Sequence, residues 1–362
     1  MTTMRRFTPK QSQFVTRRVR DRCLMLTPTQ QVNQTVLYAL GVAQLKASNV
    51  RLHGLMVESN HHHCAVTDAA GESELSTFFR EFHSTTARAL NAHYGRGENF
   101  WSQPGSFSKV EVHGGYDLEK QLVYLWTNPV KDGLVDRPED WPGVKFLPKD
   151  LGTTITVKKP SAAFFGNRWP KAWVPTHPEE RRRFLEQRRL LRRERKRQER
   201  LAKGHPRGKK KKERAPRPPR FRDTLPDEVT ITISRPPGYE HLTIEELREH
   251  FQALVDDEVL RIHAQRKAEG KTRVMGVKAI LNQDPFASIG DVFPTFARNP
   301  GIACKDKATR IALLKTLQDW RARYRKALGL WRERVRDVTF PAGTYWMGHF
   351  HKAVVEPSYA QP

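Results

Sequence analysis

The stretch Val57-Glu58-Ser59-Asn60-His61-His62-His63-Cys64-Ala65-Val66 joins two apolar runs through a short polar turn. Residues 50–57 before the turn and the residues after it have strand composition, so the sequence predicts an antiparallel hairpin. Successive side chains of a strand point to opposite faces, so we expect His61 and His63 on one face and His62 on the other. Two imidazoles on adjacent positions of one face can bind one divalent ion.

Helix and strand patterns alternate around this hairpin. Strands are predicted over residues 14–26 and 106–112, and amphipathic helices over residues 29–46 and 74–94. A further helix, with Asp117 as its expected N-cap, follows the last of these strands. The order β-α-β-β-α-β-α is typical of an α+β fold with a split βαβ sheet of the ferredoxin-like type and one extra helix.

The extra helix carries a tyrosine motif, Tyr124-Leu125-Trp126-Thr127-Asn128-Pro129. Residues four apart in a helix are neighbours, so the phenol of Tyr124 and the amide of Asn128 would face the same ion. Cleavage of a phosphodiester needs charge neutralisation and a positioned nucleophile. A lone His-x-His is more often a surface or core feature, but the joint pattern predicts a metal site of His61, His63 and Asn128 with Tyr124 as nucleophile.

Composition points to a polyanionic partner. The chain has 362 residues and a formal net charge of +25, which favours nucleic acid first and an anionic membrane second. No apolar stretch approaches the ~20 residues that span a bilayer, and the N-terminus lacks the apolar core of a secretory signal. We therefore expect a soluble, cytoplasmic, nucleoid-associated protein without a membrane partner. The three cysteines are too widely spaced to predict a disulfide framework or a zinc cluster.

The positive charge is concentrated between Arg181 and Arg222, where 21 Lys and Arg residues accompany four Glu residues. Direct phosphate contact or a solvated spacer would both explain this segment. Order resumes after it with a capping box at Thr243 and Glu246 and with long helical patterns that would pair internally or in a homodimer. We predict a catalytic domain over residues 1–158, a basic linker over 159–226 and a mainly helical domain over 227–362.

The chain also resembles a known family through motifs that occur in one order. They are Asn60-His61-His62-His63, then Phe100-Trp101-Ser102-Gln103, then the run from Tyr124 to Val135, then Asp140-Trp141-Pro142. Together they resemble the single-tyrosine HUH transposases, and most closely the REP-associated tyrosine transposase branch. The resemblance covers roughly residues 10–150. His62 replaces a bulky apolar residue of that family, and Ser59 replaces a proline.

The resemblance implies a mobile-element enzyme that cuts and joins single-stranded DNA beside hairpins through a 5′-phosphotyrosine. It implies Mg²⁺ or Mn²⁺ as cofactor, His61 and His63 as metal ligands, Asn128 as the third ligand and Tyr124 as the nucleophile. Two other functions stay open at this point, a domesticated DNA-binding protein that does not cut and a ferredoxin-like RNA endonuclease. The basic residues expected to contact nucleic acid are Arg17, Arg18, Arg20, Arg22, Lys131, Arg192, Arg193, Lys209 and Lys210.

Overall fold

A computed structural model describes residues 6–8, 10–69, 74–102, 107–161, 164, 165, 190, 194, 225–289 and 301–357. The chain forms two compact units, one of residues 1–90, 99–160 and 227–362 and the other of residues 91–98 and 161–226. The predicted DNA contacts Arg192, Arg193, Lys209 and Lys210 lie outside the described residues.

The described part of the chain contains both strands and helices. The strands are β1 (Ser12–Arg18), β2 (Val50–Val57), β3 (His61–Asp68), β4 (Phe107–Val112), β5 (Lys145–Phe146), β6 (Thr154–Lys158), β7 (Glu228–Thr232), β8 (Ile302–Ala303), β9 (Thr339–Phe340) and β10 (Val354–Val355). The helices are α1 (Gln30–Lys46), α2 (Leu75–His93), α3 (Gly115–Lys131), α4 (Ile244–Ala268), α5 (Val277–Leu281), α6 (Lys307–Arg332) and α7 (Trp346–His351). Over the described ranges, no helix is both long and apolar enough to cross a membrane.

The central sheet has six strands in the order β5-β2-β3-β1-β4-β8. β3 is antiparallel to both β1 and β2, and β4 is antiparallel to β1. β1 and β2 therefore run the same way with β3 between them, and β3 and β4 do so with β1 between them. These are two interlocked split βαβ units, which confirms the predicted α+β class and its ferredoxin-like sheet.

Two boundaries differ from the predicted ones. β1 ends at Arg18 because the chain then enters a 3₁₀ turn in which Asp21 and Arg22 have left-handed backbone angles, φ 53° and 55°. α3 begins at Gly115 after Gly114, which has φ +94°, instead of after Asp117. The Asp117 carboxylate accepts the backbone N–H of Lys305, so it ties the C-terminal region to α3 and does not cap the helix.

The C-terminal region is built into the same compact unit as the central sheet. β7 pairs with β6 along its full length, and β8 adds a parallel strand beside β4. Val229 of β7 packs so closely on α1 that a Cβ on Gly41 would lie 2.4 Å from a Val229 methyl carbon. The prediction of a separate domain for residues 227–362 relied on local helical patterns, which do not show that β7 and β8 pair with strands distant in sequence.

α4 lies against α3, the helix that carries Tyr124. The rings of Trp126 and Phe251 are 5.2 Å apart at centroid, and the Glu119 carboxylate accepts hydrogen bonds from Tyr239 Oη and His250 Nε2. The capping box at Thr243 starts α4 as predicted. These contacts pack α4 against α3, and Trp126 contacts both α4 and the sheet.

His53 links β2 to the C-terminal region. It is the extra residue of a β-bulge, since Leu52 pairs with Val66 and Gly54 with Ala65. Its Nδ1 donates to the Ser234 carbonyl at 3.0 Å, so Nε2 accepts from the Thr67 hydroxyl at 2.9 Å. Burial lowers the pKa of His53 to about 4. The fold holds this imidazole neutral.

We predict that His53 makes the protein sensitive to acid. The unfolded chain binds a proton near pH 6.5 and the folded chain only near pH 4, so stability present above pH 6.5 is lost as the pH falls to 4, by about 3 kcal/mol. The free energy of unfolding, measured by urea titration in EDTA, should therefore differ less between wild type and His53→Gln at pH 4 than at pH 7. A difference that stays constant with pH would contradict this assignment.

Candidate active site

The two same-face histidines of β3 meet through their Nε2 atoms, which are 3.1 Å apart. His61 Nδ1 lies 2.7 Å from Asn60 Oδ1, an acceptor, so Nδ1 carries the hydrogen and Nε2 presents a lone pair. His63 Nδ1 bonds the Thr16 hydroxyl at 2.8 Å. Burial, followed by the charge of Arg18, lowers the pKa of His61 to about 4, and burial lowers that of His63 well below its usual value. Both rings are therefore neutral at pH 7.

His62 lies on the other face of β3, as the strand period predicts. Its Nε2 is 2.8 Å from His83 Nε2 of α2, and its ring packs against Phe82 and Trp101. His62 is 1% exposed, and its pKa is lowered to about 3, mainly by burial. His62 therefore bonds His83 of α2 and, from its own face of β3, cannot reach His61 and His63.

Tyr124 stands above the His61 and His63 face. Its ring centroid is 5.4 Å from that of His63 and 6.0 Å from that of Phe14, and Lys131 Nζ lies 4.8 Å from the ring centroid. Burial and then the carboxylates of Asp132 and Glu58 raise the pKa of Tyr124, whereas Arg18 lowers it. The phenol is therefore protonated at neutral pH unless additional positive charge reaches it.

Glu58 belongs to this cluster, although the sequence analysis treats it only as a turn residue. It is 3% exposed, and its Oε2 lies 3.8 Å from His61 Nε2. Its Oε1 accepts a 2.6 Å hydrogen bond from Asn128 Nδ2. Burial raises the pKa of Glu58 well above its usual range, nearby Asp132 raises it further, and the bond from Asn128 opposes both. A buried acid beside two histidines would have been the signal, but burial is not visible in a turn sequence.

Asn128 lies one helical turn from Tyr124, as predicted, and reaches both Glu58 and His61. Its Nδ2 atom is 3.4 Å from His61 Nε2. An amide nitrogen has no lone pair available for a cation, so in this orientation Asn128 holds Glu58 in place and presents no ligand atom to the histidines.

The predicted arginines occupy different surroundings. Arg18 is exposed and acts electrostatically on His61, His63 and Tyr124, so with Lys131 it adds positive charge at the site. Arg17 lies over the Trp101 ring at 5.6 Å, on the side of His62. The other two are in the turn after β1, where Arg20 pairs with Asp21 at 3.2 Å and Arg22 follows in left-handed backbone.

The donors present fit a divalent ion in type. The Nε2 atoms of two neutral imidazoles lie 3.1 Å apart, a separation at which their lone pairs need a shared proton or a shared cation between them. The buried carboxyl group of Glu58 lies beside them. Among the described residues, no three His, Cys, Asp or Glu side chains form a complete metal site. His61 and His63 are a preformed pair, and a third ligand has to move toward them.

No family model and no curated protein matches the chain. Among solved structures, the chain is similar to a REP-associated tyrosine transposase bound to a REP hairpin, with 25% identity and a TM-score of 0.35 over 41% of this chain and 85% of that one. It is also similar to a protein of Deinococcus radiodurans described as a transposase, with 16% identity and a TM-score of 0.25 over 33% of this chain and 93% of that one. Because both TM-scores are low, the functional assignment depends on the residues around Tyr124.

We predict that substitutions on the two faces of β3 have different effects, with metal binding lost on one face and stability lowered on the other. His63→Ala removes one of the paired Nε2 donors and should abolish Mn²⁺ binding in calorimetric titration. His62→Ala leaves a cavity and removes the hydrogen bond between His62 and His83, so it should lower the melting temperature and leave Mn²⁺ binding within about threefold of wild type. Equal loss of Mn²⁺ binding in two folded variants would contradict the two-face arrangement.

Proposed function

We propose that this protein is a metal-dependent transposase that cleaves and rejoins single-stranded DNA near hairpins, with Tyr124 as the nucleophile. The observation that carries the proposal is the packing of the Tyr124 ring on His63, whose Nε2 is paired with that of His61. A phenol, two neutral imidazoles and a buried acid on one sheet face form a set suited to phosphodiester cleavage. The hairpin substrate follows from the sequence resemblance.

The chemistry assigned to Tyr124 is a transesterification. Its Oη forms a bond to phosphorus as the bond to the 3′-oxygen breaks, and the phenol releases a proton while the 3′-oxygen gains one. The products are a 5′-phosphotyrosine and a free 3′-hydroxyl, which can attack the phosphotyrosine in the reverse direction. Arg18 and Lys131 supply positive charge close to the phenol, which favours both the anionic phosphate and the phenolate.

His61, His63 and Glu58 are the residues we assign to a divalent cation. When bound, Mg²⁺ or Mn²⁺ would neutralise charge on the scissile phosphate, and imidazole ligands favour the softer Mn²⁺. Glu58 replaces Asn128 as the third ligand because its Oε2 is a true donor atom on the side of His61. Asn128 then orients the Glu58 carboxylate through the Nδ2 hydrogen bond to Oε1.

We predict that Tyr124→Phe abolishes covalent protein–DNA adducts and leaves DNA affinity and the melting temperature close to wild type, because only the hydroxyl is lost. The assay incubates labelled, randomised single-stranded hairpin DNA with protein and Mn²⁺, followed by denaturing electrophoresis. Tyr116→Phe on the same helix is the matched control and should form adducts. Adducts in the Tyr124→Phe variant would place the nucleophile elsewhere.

The same assay distinguishes the other functions. Wild-type protein that binds the DNA with unchanged affinity in EDTA and never forms an adduct would be a DNA-binding protein that does not cut. Cleavage of labelled RNA in EDTA would instead indicate a metal-independent ribonuclease.

We predict that Glu58→Gln, which keeps the size and the acceptor for Asn128 but removes the charge, weakens Mn²⁺ binding about 10-fold to 100-fold in calorimetric titration. Glu119→Gln is the control, because that carboxylate lies on α3 but bonds Tyr239 and His250. If Glu58→Gln binds Mn²⁺ as tightly as wild type, Glu58 is not a ligand.

A further inference from the structure

The C-terminal region lies against the chain segments that adjoin the candidate active site. The backbone N–H groups of Met275 and Gly276 donate to the carbonyls of Gly133 and Leu134, each at 2.9 Å, just beyond the end of α3. The Ser59 hydroxyl, in the turn before His61, donates to Gln283 Oε1 at 2.5 Å. These bonds fix residues 273–283 beside both the tyrosine helix and the histidine strand.

A pocket of about 530 Å³ opens at this contact. Its lining includes Asp132 and Gly133 at the end of α3, together with Arg266, Lys271, Thr272 and Arg273 from the C-terminal region. Lys271, Thr272 and Arg273 are exposed. The lining of this solvent-open pocket therefore includes three cationic residues and one acidic residue.

The guanidinium of Arg266 is held in position. Its Nη2 donates to the Arg273 carbonyl at 2.9 Å, and a Cβ added to Gly133 would lie 2.1 Å from its Nη1. Gly133, at φ +70°, thus leaves the space in which the guanidinium lies against the backbone. A guanidinium fixed in advance loses less entropy when it binds a planar anion such as phosphate.

The pocket and the candidate active site share Asp132. This residue lines the pocket and also acts electrostatically on Glu58 and Tyr124. A second groove, of about 550 Å³, is lined by Tyr124 and by Arg261 of α4, five residues before Arg266. α4 therefore presents one arginine in the groove of the nucleophile and another in the basic pocket.

We propose that Arg266, Lys271 and Arg273 form a phosphate-binding site that positions the single-stranded DNA backbone beside Tyr124. This inference rests on the proposed function, since it takes DNA as the substrate of Tyr124. The ligand is a phosphodiester flanking the scissile one, held without regard to base sequence. Lys271 pairs with Glu269 at 3.0 Å, but both side chains are exposed, so a phosphate can displace that pair at little cost.

The test is the double variant Lys271→Gln/Arg273→Gln, in which both positions are exposed and the fold should survive, as circular dichroism would verify. The probe is fluorescent single-stranded oligothymidylate, and anisotropy gives its affinity from low to high salt. Loss of two phosphate contacts should reduce the slope of log affinity against log salt by about 1.4. Lys315→Gln/Lys326→Gln removes the same charge from exposed positions of α6 and should leave the slope unchanged.

A slope that is the same in the double variant and in wild type, or that falls equally in the α6 control, overturns the phosphate site. This readout does not depend on Tyr124 chemistry. If wild type forms no adduct and the slope still falls only in the Lys271→Gln/Arg273→Gln variant, the proposed function fails and the phosphate site stands. If wild type forms adducts, the double variant should also need several-fold more hairpin DNA for half-maximal adduct formation, with an unchanged adduct yield at saturation.

Discussion

The candidate active site depends on the pairing of β3 with strands on both sides. His61, His62 and His63 stand opposite Arg18, Arg17 and Thr16 of β1, and β2 fixes the same register from the other edge. A slip of one residue would exchange the faces, sending His62 to Tyr124 and the other two rings to α2. The register of the backbone pairing therefore determines which side chains face Tyr124.

The fold keeps this face uncharged by burying groups that would otherwise ionise. Neutral imidazoles, and a pKa of Glu58 that burial raises toward the neutral acid, avoid the large cost of isolated buried charges. His61 bonds Asn60, His63 bonds Thr16, and Glu58 accepts a hydrogen bond from Asn128, so these buried groups have polar partners. The divalent cation that we propose would reverse this balance, because a cation favours the carboxylate and the imidazole lone pairs together. Binding of the cation should then release a proton from Glu58, which makes metal affinity rise with pH.

Sequence patterns predicted the features that repeat over two or four residues. The two faces of β3, the split βαβ order and the capping box of α4 all follow from such local periods. Glu58 and the C-terminal strands were missed for a different reason. The burial of Glu58 depends on α3. β7 alternates exposed and buried residues, but this alternation does not show that its partner is β6, and β8 has only two residues. Each of these features is fixed by contacts between residues distant in sequence. Asp117 shows the same limit, because its carboxylate accepts the N–H of the distant Lys305 inside a helix that already begins at Gly115.

The chain positions just before and just after the long insertion that contains the basic segment are neighbours in the structure. Lys158 of β6 stands opposite Glu228 of β7, and the N–H of Lys159 donates to the Asp227 carbonyl at 2.6 Å. Residues 160–226, which include the basic segment, are therefore an insertion that begins and ends at neighbouring positions of two paired strands. The pairing of β6 with β7 therefore joins the chain after this insertion to the chain before it, whereas β8, beside β4, joins the C-terminal region to the central sheet.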